Sequence, residues 1–212
     1  MPSDPCILAF DTTAAHCAAA LLSDGQIVVQ KHEDMARGQA ERLIPLLEEI
    51  LAIAGKDWRD LDALAVGVGP GNFTGIRISV SAARGLALGL GIPAIGVSIF
   101  EARAEGLPRP LCVIEDARRG EVYMQRFSNE AEDPVLMDRA ELAAKVDAAL
   151  VGSAADGAVT GLPVLEARYS LAEAIARVAA RKFGAPQPRP APLYIRAADA
   201  APGADLPPKV LP

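Results

Sequence analysis

Apolar positions follow two rhythms in the first hundred residues. Cys6 to Phe10 is a continuous apolar run that stops at Asp11-Thr12-Thr13, and His16 to Leu22 is a second run. Ser23-Asp24-Gly25-Gln26 reads as a tight turn, after which Ile27 to Gln30 resumes. Short apolar runs bounded by turn residues predict strands, and three joined this closely predict an antiparallel meander. The rhythm then changes. Leu43, Ile44, Leu46, Leu47, Ile50, Leu51 and Ala54 recur at helical spacing up to Gly55. Pro45 lies inside this pattern, so it sits in the first turn or kinks the helix. Leu61 to Val68 is the next strand and runs into Gly69-Pro-Gly-Asn-Phe-Thr-Gly75. A helix rich in small residues is predicted from about Thr74 to Leu90, and Ala94 to Val97 is a short strand.

The second half is less regular. Ser98 with Glu101 forms a capping-box pattern for a helix reaching about Gly106. Leu111 to Glu115 and Glu121 to Phe127 are strands joined through Asp116-Ala-Arg-Arg-Gly120. Asp138 with Glu141 caps a short helix, Leu150 to Gly152 is a weak strand, and Ser170 with Glu173 opens a helix ending at Gly184. Pro186, Pro188, Pro190 and Pro192 predict an extended connector, with Leu193 to Ile195 as a last edge strand. Three strands followed by alternating helices and strands predict an α/β fold of two lobes, with mixed sheets flanked by helices. The expected division is a first lobe over 1–100, a smaller second lobe over 101–196, and a mobile tail over 197–212.

Composition bounds the function. The chain has 212 residues, 51% of them hydrophobic and 23% charged, which fits a globular protein that needs no disulfide or metal staple. Twenty-one basic against 27 acidic residues give a net charge of −6. A chain that grips nucleic acid by itself usually carries a basic excess, so that role is disfavoured here. Cys6, Cys17 and Cys112 are odd in number and form no C-x-x-C, which predicts reduced, structural cysteines in a cytoplasmic protein. No apolar run approaches the ~20 residues of a membrane span, and the N-terminus lacks the basic region of a signal peptide.

Few residues carry recognisable chemistry. Asp11-Thr12-Thr13 ends a buried strand. Such a turn can hold a magnesium-bound water and a terminal phosphate, or simply cap the strand. Gly69, Gly71, Thr74, Gly75 and Arg77 lie between a strand and a helix. They can cradle an anion at the helix N-terminus, or form a tight turn in which Thr74 caps the helix and Gly75 permits close packing. The loop lacks the Gly-Lys-Ser/Thr of a P-loop. The cluster from Asp116 to Tyr123 sets two arginines beside two carboxylates, a pattern that usually pairs internally on a wet surface. His16 and His32 show no metal-ligand spacing, and no Ser/His/Asp arrangement is present.

Taken in order, these segments resemble the TsaB (YeaZ) family. The match is carried by Ile7-Leu-Ala-Phe-Asp-Thr-Thr13, Arg37-Gly-Gln-Ala-Glu-Arg-Leu43, Val68-Gly-Pro-Gly-Asn-Phe-Thr-Gly-Ile-Arg77, Gly85-Leu-Ala-Leu-Gly89 and Ile95-Gly-Val-Ser98. It continues through Asp116-Ala-Arg118, Gly120-Glu-Val-Tyr123 and Pro192-Leu-Tyr-Ile-Arg196. Gln39 stands where family members often carry His, and Asn72 where Ser is usual; both keep polar character. Residues 128–169 are unlike the family in detail.

The resemblance implies an actin/Hsp70/sugar-kinase-like (ASKHA) fold and a non-catalytic role beside TsaD. TsaD transfers threonylcarbamoyl from its adenylate to the adenosine next to the anticodon of tRNA, with TsaE as a further component. It implies no cofactor on this chain alone, with ATP and metal on the partner subunits and tRNA met mainly through the complex. The phosphate-loop residues would then be vestigial. A small-molecule kinase or ATPase on the same fold, or a peptidase, are the alternatives. The expected docking surface is the pair of helices over about 39–54 and 74–90, shared by TsaD and by a homodimer of the free chain. Leu46, Ile50, Ser79, Ala82, Ala83 and Leu86 are its expected contacts.

Overall fold

A computed structural model describes residues 4–196, and the expected tail lies outside them. β1 (Ile7–Asp11), β2 (His16–Ser23) and β3 (Gln26–Asp34) form the antiparallel meander. α1 (Gln39–Ala54), β4 (Ala63–Gly67), α2 (Phe73–Leu90) and β5 (Ala94–Val97) follow. β4 and β5 join in parallel, giving a mixed sheet of order β3-β2-β1-β4-β5. α3 (Ile99–Ala104) starts at the expected capping box: Ser98 Oγ accepts from the Glu101 amide at 3.1 Å, and Glu101 Oε2 accepts from the Ser98 amide at 2.9 Å.

A second mixed sheet contains β6 (Leu111–Asp116), β7 (Glu121–Phe127), β8 (Val135–Asp138) and β9 (Ala149–Val151), ordered β8-β7-β6-β9. The sequence pattern does not reveal β8, because a four-residue strand offers barely one period of alternation. α4 (Leu142–Lys145) is a single turn, and α5 (Leu171–Lys182) closes the helical part.

β1 and β4 are buried along their whole length, which is why they read as unbroken apolar runs rather than alternating ones. Alternate residues of β1 and β4 face opposite layers. Leu8, Phe10, Leu64 and Val66 meet α1 and α2 on one side. Ile7, Ala9, Ala63 and Ala65 meet α5 on the other. Alanines on both surfaces let α5 approach the sheet closely, through Ala174, Ile175 and Val178. α5 therefore belongs to the first lobe, although it follows the second in sequence. Of the expected second lobe over 101–196, α5 packs on the first sheet, and α3 lies between the two cores, with Ala102 against the first and Phe100 and Ala104 against the second. Leu193 to Ile195 is no strand. It is an irregular strap that makes one sheet-like contact, from the Leu193 amide to the Val68 carbonyl at 2.8 Å.

Helix phase overturns part of the expected docking set. Leu46, Ile50, Ser79 and Ala83 are fully buried beneath the helices, and Ala82 and Leu86 pack half-buried against the same core. The apolar surplus on α1 is absorbed by a wide buried stripe, Leu43, Leu46, Leu47, Ile50 and Leu51, leaving Ile44 and Ile53 exposed. On α2 the exposed positions are Phe73, Thr74, Arg77, Ser81, Arg84, Gly85, Leu88 and Gly89.

A charged network fixes the roll of α1 on the sheet edge. The Arg42 guanidinium donates to Glu33 at 2.7 and 2.6 Å and to Glu49 at 2.6 Å, and Lys31 donates to Glu49 at 2.6 Å. Bonds from Arg42, then from Lys31, hold the Glu49 carboxyl down to about 2. Among the described residues no helix is long and apolar enough to cross a membrane.

Ala83 has no exposed surface, so Ala83→Arg would bury an unpaired guanidinium. It is expected to cost ~3–5 kcal/mol, visible as a large fall in melting temperature by circular dichroism. Leu88→Arg, at a position 85% exposed, is expected to melt within a few degrees of the parent.

Candidate functional site

The Asp11-Thr12-Thr13 turn and the 69–75 loop meet, but not as an anion cradle. Asp11 Oδ1 accepts three hydrogen-bonding contacts: the Thr13 amide at 3.0 Å, the Thr13 hydroxyl at 2.9 Å and His16 Nε2 at 2.7 Å. The Thr12 hydroxyl donates to the Gly75 carbonyl at 2.7 Å. All three turn residues are buried.

Glycine is required at three points spaced four residues apart. A Cβ on Gly67 would lie 1.9 Å from Asp11 Oδ2, one on Gly71 2.4 Å from the Thr13 carbonyl oxygen, and one on Gly75 1.9 Å from the Thr12 carbonyl oxygen. The glycines thus bring the turn's own backbone onto the β4–α2 connection. At Gly71 and Gly75 the nearest neighbours are the carbonyl oxygens of Thr13 and Thr12, which carry negative partial charge.

Three of the amides are engaged as well. That of Asn72 donates to the Thr13 carbonyl at 2.6 Å, and those of Thr74 and Gly75 donate to Asn72 Oδ1 at 3.0 and 3.3 Å. Asn72, not Thr74, is the N-cap of α2, a position that Asn and Ser fill equally well. Arg77 bonds no backbone group of the loop. Its guanidinium lies 3.6 Å over the Phe73 ring, and its Nε donates to the Tyr194 hydroxyl at 3.0 Å. Asp11 Oδ2 is buried without a partner but is directed at Gly67, into the protein. The Asp11-Thr12-Thr13 turn and the 69–75 loop are therefore packed chiefly on each other. Among the described residues there is no group of three or more metal-ligating side chains.

Between the two sheets lies a cleft of about 630 Å³. Thr13, His16, Asn72 and Phe73 form its first-lobe wall; Glu115, Arg118, Tyr123 and Ser153 face them. Glu115 is held by Arg103 Nε at 3.1 Å and by the Ser153 hydroxyl at 2.6 Å. The hairpin between β6 and β7 turns through Arg118, Arg119 and Gly120, all with positive φ. Asp116 braces the turn by accepting from the Arg118 amide at 3.1 Å. Arg196 ties the strap to this hairpin through the Ala117 carbonyl at 3.0 Å and Glu121 at 2.5 Å. The expected internal pairing of the 116–123 cluster is thus present in part, with Arg196 as a partner the local sequence does not reveal. His16 is a further site residue: the short β1–β2 hairpin folds it back onto Asp11, a role its spacing as a candidate metal ligand did not reveal.

Gly75→Ala is expected to prevent stable folding, since its Cβ would overlap the Thr12 carbonyl. Gly85→Ala, on the same helix with nothing within 4 Å of its Cβ, is expected to stabilise the chain by roughly 0.5–1 kcal/mol. Denaturant titration of both variants checks the pair; a folded, parent-like Gly75→Ala protein would contradict the packing described.

Comparison with known proteins agrees with this architecture. A family model described as "TsaD: tRNA N6-adenosine threonylcarbamoyltransferase" matches residues 28–160. The chain is 41% identical over 131 residues to the tRNA threonylcarbamoyladenosine biosynthesis protein TsaB of Escherichia coli (strain K12), a stretch covering 58% of this chain and 55% of that protein. The matched stretch is thus about half of the Escherichia coli protein. It is 35% identical over 202 residues to the uncharacterized protein Rv3421c of Mycobacterium tuberculosis, covering 92% and 94% of the two chains. Among solved structures, YeaZ from Pseudomonas aeruginosa superposes with a TM-score of 0.70 at 27% identity, covering 90% of this chain and 99% of that one. Component A of the (R)-2-hydroxyglutaryl-CoA dehydratase of Acidaminococcus fermentans shares the fold alone, with a TM-score of 0.54 at 14% identity over 83% of this chain and 98% of that one. The fold is of the actin/Hsp70/sugar-kinase type, and the chain belongs to the TsaB/YeaZ family.

Proposed function

We propose that this chain serves tRNA threonylcarbamoyladenosine biosynthesis as a non-catalytic partner of TsaD, in the transfer of threonylcarbamoyl to N6 of the adenosine next to the anticodon. TsaE is a further component in this reading, and ATP and metal reside on the partner subunits. The observation that carries it is the self-occupied glycine loop. The two motifs that would form a phosphate clamp are spent on each other, so what remains of the fold is its surface.

The docking face is the outward side of α1 and α2, with the contacts revised by the helix phase. Ile44, Ile53 and Leu88 supply exposed apolar area. Glu41 and Glu48 lie two turns apart on α1, Arg84 lies on α2, and none of the three has an ion-pair partner among the described residues. α2 contains no acidic residue at all. An acidic helix beside a basic one is self-complementary about a two-fold axis, because α1 of one copy then meets α2 of the other. The free chain pairs with itself through this face, and TsaD competes for it. Helices of 16 and 18 residues are about 24 and 27 Å long, room enough for a standard interface of ~1,600 Å².

Two measurements test this. Glu48→Arg and Arg84→Glu, each alone, are expected to weaken self-association and TsaD capture by about tenfold or more, read by sedimentation and by pull-down. Combined in one chain, they are expected to restore the homodimer but not the capture of TsaD. Capture unchanged in both single variants would place the docking surface elsewhere. Titration calorimetry of the isolated chain with Mg-ATP is expected to give no binding heat, and a micromolar constant would favour a kinase or ATPase instead.

A further inference from the structure

We propose that the rim of the inter-lobe cleft, around Phe73, Tyr194 and Arg118, is a contact site for a single-stranded RNA loop. The inference rests on the function proposed above only for the kind of nucleic acid; the chemistry of the rim points to nucleic acid without it.

Two aromatic rings are laid open at the surface in a chain with few of them. Phe73 is 53% and Tyr194 48% exposed, and their rings stack at 5.5 Å with 30° between planes. Leaving both in water forgoes the burial that aromatic side chains normally gain. They are also held in place: Arg77 covers Phe73 and bonds the Tyr194 hydroxyl, so the pair is ordered before any ligand arrives. An ordered, exposed stack flanked by a guanidinium is what unpaired bases recognise, since every base has a face to stack and a phosphate beside it.

The two segments that carry the stack, α2 and residues 184–196, contain Arg77, Arg84, Arg189 and Arg196 and no acidic residue, in a chain of net charge −6. Arg196 is spent on Glu121, and Glu115 and Asp116 line the cleft beside Phe73, so Arg77 is the cation that the structure places on the stack itself. Across the cleft, Arg118 stands at the tip of the β6–β7 hairpin with φ 62°, a backbone state in which Gly, Asn or Asp would be cheaper. Its side chain has no partner among the described residues. An arginine kept at a strained, exposed tip of the cleft that Phe73 also lines is placed for a ligand's phosphate rather than for the fold. A protein partner would be served by the apolar area of α1 and α2; it has no need of an open stack at a polar cleft mouth.

The test uses the full chain and fluorescence anisotropy. The probe is a labelled RNA hairpin with a seven-nucleotide single-stranded loop, and a fully paired duplex of equal length is the control, both in 50 and 200 mM salt. The hairpin is expected to bind more tightly than the duplex and to weaken with salt. Phe73→Ala and Tyr194→Ala are each expected to lose about tenfold in hairpin affinity. Arg118→Asn relieves the turn, so it is expected to fold at least as well as the parent while losing affinity and lessening the salt dependence. No hairpin binding by the parent, equal binding of hairpin and duplex, or parent-like binding by all three variants overturns the proposal. So does loss of TsaD capture in these variants with RNA binding intact, which would make the rim a protein contact. Failure of the parent to capture TsaD, with variant-sensitive hairpin binding retained, would remove the docking reading and leave this one standing.

Discussion

The Asp11-Thr12-Thr13 turn lies directly on the backbone that joins β4 to α2, and the first lobe is organised around that contact. It is possible only because Gly67, Gly71 and Gly75 present no side chain to it. The Thr12 hydroxyl and the Thr13 carbonyl then reach the first turn of α2, so the end of β1 and the start of α2 are held as one body. The same contact forms the first-lobe wall of the cleft and places Phe73 at its mouth. It also engages the Asn72, Thr74 and Gly75 amides at the helix N-terminus within the protein.

The second lobe is held to this body by chain segments distant in sequence. α5 packs its alanines on the back of the first sheet and is fastened to α3 by Lys182 on Glu101 at 2.6 Å and by Arg181 on Glu105. Beyond it the chain crosses both lobes as a strap. Pro190 lies against Gly96, the Leu193 amide reaches Val68, and Leu193 and Ile195 join the second-lobe cluster of Phe100, Leu111 and Val113. Arg196 ends the crossing on the β6–β7 hairpin.

The candidate contact surfaces divide by physical character. The outward faces of α1 and α2 are long and apolar in part, with opposite charges on neighbouring helices, which favours another helical pair. The cleft rim is short, polar and aromatic. The Arg42 network holds α1 by its edge and leaves Glu41 and Glu48 facing outward, so the charge available to a partner depends on which acids the fold itself consumes.

Much of this was legible in the residue pattern. Strands from Cys6 to Ser23, the helices after Gly38 and Asn72, and the box of Ser98 with Glu101 are local features. Each follows from side-chain periodicity or from a cap within a few residues, and the order of the glycine-loop signature and its flanking motifs identifies the family. Helix phase was legible only in part. α1 has apolar residues around more than half its circumference, and α2 has small ones on every side, so periodicity could not tell that Leu46, Ile50, Ser79 and Ala83 are core while Leu88 is not. The return of α5 to the first sheet and the pairing of Arg196 with the 117–121 hairpin were not legible at all. Nor was the orientation of the glycines, which face the Asp11-Thr12-Thr13 turn rather than a ligand. All of these depend on which distant segment arrives to cover a face, and that is decided by the packing of the whole chain, where a neighbour in space need not be a neighbour in sequence.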